Sequence, residues 1–185
     1  MGIVVSTNGG TNWTPIRISA VSGTESTVAA VAPGNASIFY VGGRTSSYKA
    51  LVYKSTNRGA DWTAITNGIS NPPLAIAVDP QGSNIVFVVT NDAVWRSSNG
   101  GTSWTKCTFP VNSWGFLAVA INKNNPSQVF VGTCKGVFYS QDRGLTWTDV
   151  SQGLSVPWVT QLYFNSANST LYVGTEGGGL WKRKF

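Results

Sequence analysis

One eight-residue phrase recurs four times in this chain. It reads Ser6-Thr7-Asn8-Gly9-Gly10-Thr11-Asn12-Trp13, then Ser55-Thr56-Asn57-Arg58-Gly59-Ala60-Asp61-Trp62, then Ser97-Ser98-Asn99-Gly100-Gly101-Thr102-Ser103-Trp104, and last Ser140-Gln141-Asp142-Arg143-Gly144-Leu145-Thr146-Trp147. The shared pattern is Ser-x-(Asn/Asp)-x-Gly-x-x-Trp, and its leading serines stand 49, 42 and 43 residues apart. Each repeat is then one supersecondary unit whose apolar face its neighbours must cover. A period of about 40–45 residues is that of a four-stranded blade, so the repeat predicts an all-β propeller of antiparallel blades, about four in the chain.

The residues between the phrases support this reading. In residues 74–106, apolar runs at 74–78, 84–89 and 94–97 precede a fourth that opens at Trp104, with Asp-Pro, Asn-Asp and the phrase itself between them. Short β-branched runs separated by turn residues describe an antiparallel meander. The other repeats match run by run. First strands are predicted at 28–31, 117–120 and 161–164, second strands at 38–41, 129–131 and 171–173, and third strands at 51–54, 137–139 and 180–182. The first strands are rich in small residues, as the crowded centre of a propeller requires.

The phrase falls in the hairpin between third and fourth strands. An Asn or Asp side chain there accepts from backbone N–H groups further along and fixes a tight turn. The glycine two residues later is expected at positive φ, and the tryptophan opens the next strand and packs back on the turn. The expected structural set is Ser6, Asn8, Gly10 and Trp13; Ser55, Asn57, Gly59 and Trp62; Ser97, Asn99, Gly101 and Trp104; and Ser140, Asp142, Gly144 and Trp147.

These residues resemble the Asp-box, also called the bacterial neuraminidase repeat. The resemblance covers nearly the whole chain and extends to bacterial sialidases, xyloglucan-degrading hydrolases, sortilin-type receptors and photosystem II assembly propellers. It implies a propeller fold, and either glycoside hydrolysis or partner binding. Asn8, Asn57 and Asn99 stand where the family usually has Asp, a change that keeps the acceptor; Asp142 conforms.

The chain opens in a third strand, at residues 3–6, and closes in the equivalent third strand, at 180–183. Closure of about four blades within one chain by pairing of the two ends, exchange of ends between two copies, and a fragment of a longer propeller all satisfy this arrangement. The reading covers residues 1–185 as one propeller domain or a piece of one.

Composition removes several chemistries. The chain has no histidine and two cysteines, Cys107 and Cys134, with no Cys-x-x-Cys pair, which excludes His-based zinc sites, Ser-His triads and Cys–His dyads. No metal or cofactor is expected, and the two thiols are read as isolated. A net charge of +6 comes from scattered cations whose only run is Lys182-Arg183-Lys184, which argues against nucleic acid as the partner. No stretch approaches the length of a membrane-spanning helix. No secretory leader is visible, so the compartment stays open, with an extracellular or periplasmic setting favoured if a leader has been removed.

Hydrolysis of a glycoside needs two carboxylates about 5–10 Å apart. Asp61 and Asp142 lie in the repeated turns, Asp79 in an Asp-Pro turn and Asp149 after a fourth strand; Glu25, Asp92 and Glu176 remain in loops, and no pair is marked by sequence. The arginine triad and the Arg-Ile-Pro signature that the sialidase resemblance implies are absent. The reading is therefore a non-catalytic module for a protein or glycan partner, with a sialidase- or xyloglucanase-like hydrolase as the alternative. The loops between blades (17–26, 66–73, 108–115 and 151–158) and between second and third strands (42–50, 90–93, 133–136 and 175–179) are expected at one end. Trp114 and Trp158 occupy nearly the same place in two repeats there, beside Tyr48, Arg44, Lys135 and Glu176. Aromatics beside polar groups stack on sugars or anchor peptides; otherwise both tryptophans plug the channel mouth.

Overall fold

A computed structural model describes residues 1–18, 24–110 and 115–185, and all of its regular structure is β. A two-stranded hairpin comes first, β1 (Gly2–Val5) with β2 (Thr14–Arg17). Three four-stranded antiparallel sheets follow: β3 (Thr24–Ala32), β4 (Asn35–Thr45), β5 (Ala50–Ser55) and β6 (Thr63–Ala64); β7 (Pro73–Val78), β8 (Val86–Thr90), β9 (Ala93–Ser97) and β10 (Thr105–Lys106); and β11 (Phe116–Ile121), β12 (Val129–Thr133), β13 (Gly136–Ser140) and β14 (Thr148–Asp149). A three-stranded sheet ends the chain, β15 (Val159–Asn165), β16 (Thr170–Thr175) and β17 (Gly179–Lys184).

Within each sheet the strands pair in chain order, and the first strands β3, β7, β11 and β15 contact one another in succession. This is the arrangement of propeller blades. Each first strand carries a bulge near its start, between Ser26 and Val28, Pro73 and Ala75, Phe116 and Ala118, and Val159 and Gln161. An extra residue at the same point of every blade bends the strand in the same way.

β4 is longer than the run 38–41 suggests and continues through Gly42 and Gly43 to Thr45. Glycine normally weakens a strand, which is why 42–50 reads as a loop in sequence. Here close approach demands it: a Cβ on Gly43 would lie 2.0 Å from the carbonyl oxygen of Glu25, and one on Gly42 2.7 Å from Val28.

The core is a series of seams between neighbouring blades. Val52, Ile65 and Ile69 of the first full blade pack with Val86 and Val88 of the second, and Trp95 and Trp104 lie against them. Val94 meets Val129, Val131, Phe138 and Trp147 in the next seam, with Cys107 and Phe109 against them. The third seam joins Val137 to Val159, Phe164, Leu171 and Val173. Side chains also cross: the Tyr40 hydroxyl donates to the carbonyl of Ser83 at 3.2 Å, and Lys54 Nζ to that of Gly100 at 3.1 Å.

The arc is open. β1 and β2 form their own sheet, and β1 contacts β3, so the hairpin does not supply a fourth strand to β15–β16–β17 within this chain. Cys107 is half-buried and Cys134 is buried, and the two are not bonded to each other. No helix among the described residues is long and apolar enough to cross a membrane.

Candidate functional site

The four repeated turns share one hydrogen-bond scheme. The serine hydroxyls of Ser6, Ser55, Ser97 and Ser140 donate to the side-chain oxygens of Asn8, Asn57, Asn99 and Asp142 at 2.9, 2.9, 2.9 and 2.7 Å. Each serine oxygen accepts from the backbone N–H of Gly10, Gly59, Gly101 or Gly144 at 2.8 Å. Each Asn or Asp oxygen also accepts, at 2.9 Å, from the backbone four residues on. Both central residues take positive φ, not the second alone: Gly9, Arg58, Gly100 and Arg143 at 59–70°, and the following glycines at 81–94°.

At the opposite end of the blades lie the turns joining second to third strands. Three of them are fastened by a threonine that sequence reasoning missed. Thr90, Thr133 and Thr175 end β8, β12 and β16, and their hydroxyls donate to the carbonyls of Ala93, Gly136 and Gly179 at 3.2 Å or less. The signal was present as a recurrent threonine at 45, 90, 133 and 175.

The first of these turns is built differently. The Thr45 backbone N–H donates to the Lys49 carbonyl at 3.0 Å, and the Tyr48 N–H to the Thr45 carbonyl at 2.9 Å. This holds Tyr48 at φ 61°, a conformation rare outside glycine, with the residue 64% exposed. The Arg44 guanidinium lies 4.3 Å from the centre of the Tyr48 ring. Cross-strand register places Arg44 opposite Glu25, and the guanidinium donates to one Glu25 oxygen through Nε at 3.0 Å and Nη2 at 2.8 Å. That hydrogen bond raises the Arg44 pKa above its ordinary value.

The last blade carries a second cluster at the same end. Trp158 immediately precedes β15 and is 44% exposed, and its carbonyl accepts from the Glu176 N–H at 2.9 Å. Lys135 lies in the β12–β13 turn, where its N–H donates to the Thr133 hydroxyl. Of the expected residues, Arg44 and Tyr48 lie together on the first full blade beside Glu25, Lys135 lies on the third full blade, and Trp158 and Glu176 lie on the last. Trp114 lies outside the described residues.

Glu25, Asp92 and Glu176 fall on three different blades, and Glu25 lies within β3 rather than in the loop that the sequence suggests, because β3 starts at Thr24 to pair with the extended β4. Burial pushes Asp92 up, but hydrogen bonds from Asn71 and Thr90 outweigh it and hold the carboxyl below its ordinary value. Glu25 lines a shallow cavity with Met1, Arg17 and Ser26. No group of three or more potential metal ligands occurs among the described residues.

Blade geometry and turn chemistry together define an all-β propeller arc carrying Asp-box repeats. The family model of the BNR/Asp-box repeat matches residues 138–149, which hold the end of β13, the last box and β14. The chain is similar to the GH74 enzyme of Niastella koreensis, at 25% identity and a TM-score of 0.70 over 85% of this chain and 28% of that one. It is similar to an ancestral GH74 enzyme at 26% identity and a TM-score of 0.71, over 86% of this chain and 23% of that one. A chain of a nidogen–laminin complex shares the fold at 14% identity and a TM-score of 0.67, over 83% of this chain and 57% of that one. The chain thus spans about a quarter of the length of the two GH74 enzymes. No curated protein matches it in sequence.

Proposed function

We propose that this chain is a non-catalytic propeller module whose turn-bearing end holds a protein or glycan partner, through Tyr48 and Arg44 on one blade and Trp158 on another. The observation that carries the reading is the Tyr48 turn. A left-handed tyrosine costs on the order of 1 kcal/mol or more, and a residue left 64% exposed recovers little of it by burial. The turn instead presents a flat ring with a guanidinium fixed across it by Glu25. Such a pair offers an apolar face and fixed N–H donors to one ligand, the chemistry of a sugar ring bearing hydroxyls or of a peptide segment with carbonyls.

A glycan array and a pull-down supply candidate partners. Tyr48→Ala, Arg44→Ala and Trp158→Ala are then compared with the parent, with circular dichroism as the folding control. Loss of binding of tenfold or more in at least one variant supports the reading. If all three fold and bind like the parent, the binding surface lies elsewhere and the reading fails.

The likeness to GH74 enzymes at 25–26% identity favours glycoside hydrolysis as a second reading. It requires two carboxylates to act on one substrate. Release of reducing sugar from xyloglucan, abolished by Glu25→Gln, Asp92→Asn or Glu176→Gln, would replace the binding reading with this one.

A further inference from the structure

Glycine follows asparagine at three places, Asn8-Gly9, Asn67-Gly68 and Asn99-Gly100. The side-chain amide of asparagine is an electrophile, and the main-chain nitrogen of the next residue is the nucleophile nearest to it. Glycine, with no Cβ, leaves that approach open. The reaction needs two freedoms, an amide that can turn toward the backbone and an N–H not engaged elsewhere. Asn99 has neither. Its Oδ1 accepts from the Ser97 hydroxyl and the Ser103 N–H at 2.9 Å each, and its Nδ2 donates to the Ser103 hydroxyl at 2.9 Å. The Gly100 N–H donates to the Asn84 carbonyl at 2.8 Å. Asn8 is held through Oδ1 by the Ser6 hydroxyl and the Asn12 N–H, again at 2.9 Å each.

Asn67 and Gly68 are both exposed, in the turn after β6 that the Ile69 N–H closes on the Thr66 carbonyl at 2.8 Å. Among the described residues the Asn67 side chain makes a single, long hydrogen bond, from Nδ2 to the Thr102 carbonyl at 3.5 Å, and the Gly68 N–H has no acceptor. The space around Gly68 is open, since an added Cβ would meet nothing within 4 Å. The turn is also placed where its length matters. It joins Ile65 to Ile69, two buried side chains of the seam between the first two full blades, and Trp104 packs against that seam. Trp104 is tied to the Ile65 carbonyl as well, through its indole nitrogen.

We infer that Asn67 is the principal site of spontaneous deamidation in this chain, and that the change loosens the seam around Trp104. The Gly68 nitrogen gives its proton to solvent and forms a bond to Cγ of Asn67. Nδ2 leaves with a proton taken from solvent, as ammonia. The cyclic imide so formed takes up one water at either of its two carbonyls. Opening at one leaves an aspartate at position 67, and opening at the other leaves an isoaspartyl link in which the main chain runs through the former side chain. Both products replace the Nδ2 donor with a carboxylate oxygen, so the contact with the Thr102 carbonyl turns from attraction to repulsion. The isoaspartyl link also lengthens the main chain between Ile65 and Ile69 by one carbon, and the two side chains no longer fit together against Trp104.

Incubation of the 185-residue chain in mildly alkaline buffer, followed by peptide mapping with mass spectrometry, tests this. Conversion at Asn67 is expected at least tenfold faster than at Asn8 or Asn99, with isoaspartate detected by enzymatic methylation of its carboxylate. The aged chain should melt below the fresh one. Asn67→Gln keeps an amide at an exposed position but requires a larger ring for the attack, so its aged and fresh samples should melt together, with circular dichroism as the folding control. Asn67 left intact while Asn8 or Asn99 converts overturns the inference, and so does equal conversion at all three. Conversion at Asn67 without a fall in melting temperature, or the same fall in aged Asn67→Gln, overturns the link to the Trp104 seam.

Discussion

The indole nitrogen of Trp104 donates to the main-chain carbonyl of Ile65, 2.7 Å away and in the neighbouring blade. The box is thus more than a turn. In this box the serine and asparagine shape the loop, the glycine lets the loop lie against the preceding blade, and the tryptophan ties the two together. Trp104→Phe keeps most of the apolar contact and removes the donor, so a loss of about 1 kcal/mol is expected. Trp104→Ala also empties the seam and should cost about 2–4 kcal/mol. Urea titration of both variants measures the difference, and equal midpoints would show that the indole donor contributes nothing.

The four box glycines share a backbone conformation but not a neighbourhood, which separates strain from collision. Gly144 has φ +81°, and an added Cβ would lie 2.5 Å from the Phe87 ring. Gly10 has φ +92° with nothing nearer than 3.8 Å. Gly10→Ala is therefore expected to cost only the left-handed strain, about 1–2 kcal/mol. Gly144→Ala should cost about 2–5 kcal/mol, since Phe87 is fully buried and must shift. Melting temperatures in the order parent, Gly10→Ala, Gly144→Ala check this, and a reversed order of the two variants would contradict it.

Asp142 is the one box acceptor that titrates. Burial pushes its carboxyl up, but hydrogen bonds from Thr146, Ser140 and Leu145 together outweigh this and pull it down to about 2. The unfolded value is about 3.9. A folded value below the unfolded one stabilises the native state above that pH, and the contribution is lost as pH falls from about 4 toward 2. Asp142→Asn keeps the acceptor, as Asn8, Asn57 and Asn99 do, so the variant should fold and lose less stability over that range than the parent. Parallel acid titrations at constant ionic strength measure it.

The blades were legible in the sequence because their determinants are local. A serine, an acceptor, a glycine and a tryptophan at fixed spacing describe a turn that needs no distant partner, and the alternating runs beside it can only pair with each other. What was not legible depends on register and on contacts between blades. Arg44 meets Glu25 because β4 runs on through two glycines, and those glycines read as a loop until the approach of the Glu25 carbonyl explains them. The arginine over Tyr48 follows from the length of one turn. Openness of the arc was equally hidden, since β1 and β17 are interchangeable as third strands and sequence does not say which neighbour each takes.

Tyr48 allows stability and binding to be pulled apart. Its φ of 61° suits glycine, so Tyr48→Gly relieves strain in the turn while removing the ring. The variant should melt at or slightly above the parent temperature and lose affinity for any ligand of the Arg44–Tyr48 face. A lower melting temperature would mean that the ring stabilises the fold, and the functional argument from strain would fall.

β17 is exposed along most of its length and still covers part of the core. Removing residues 180–185 takes away Trp181, which lies against the third seam, and Phe185, whose ring sits 4.8 Å from that of the fully buried Phe130. It also removes the Arg183 Nη1 donor to the Val150 carbonyl at 2.8 Å. Leu171 and Val173, now 1% and 3% exposed, would face water beside an unpaired edge of β16. An apolar strand with a free edge is a template for further pairing, so the truncated chain should aggregate at concentrations where the parent stays in solution. Turbidity and soluble yield at matched concentration measure this, and a truncation as soluble and as stable as the parent would show that β17 protects nothing.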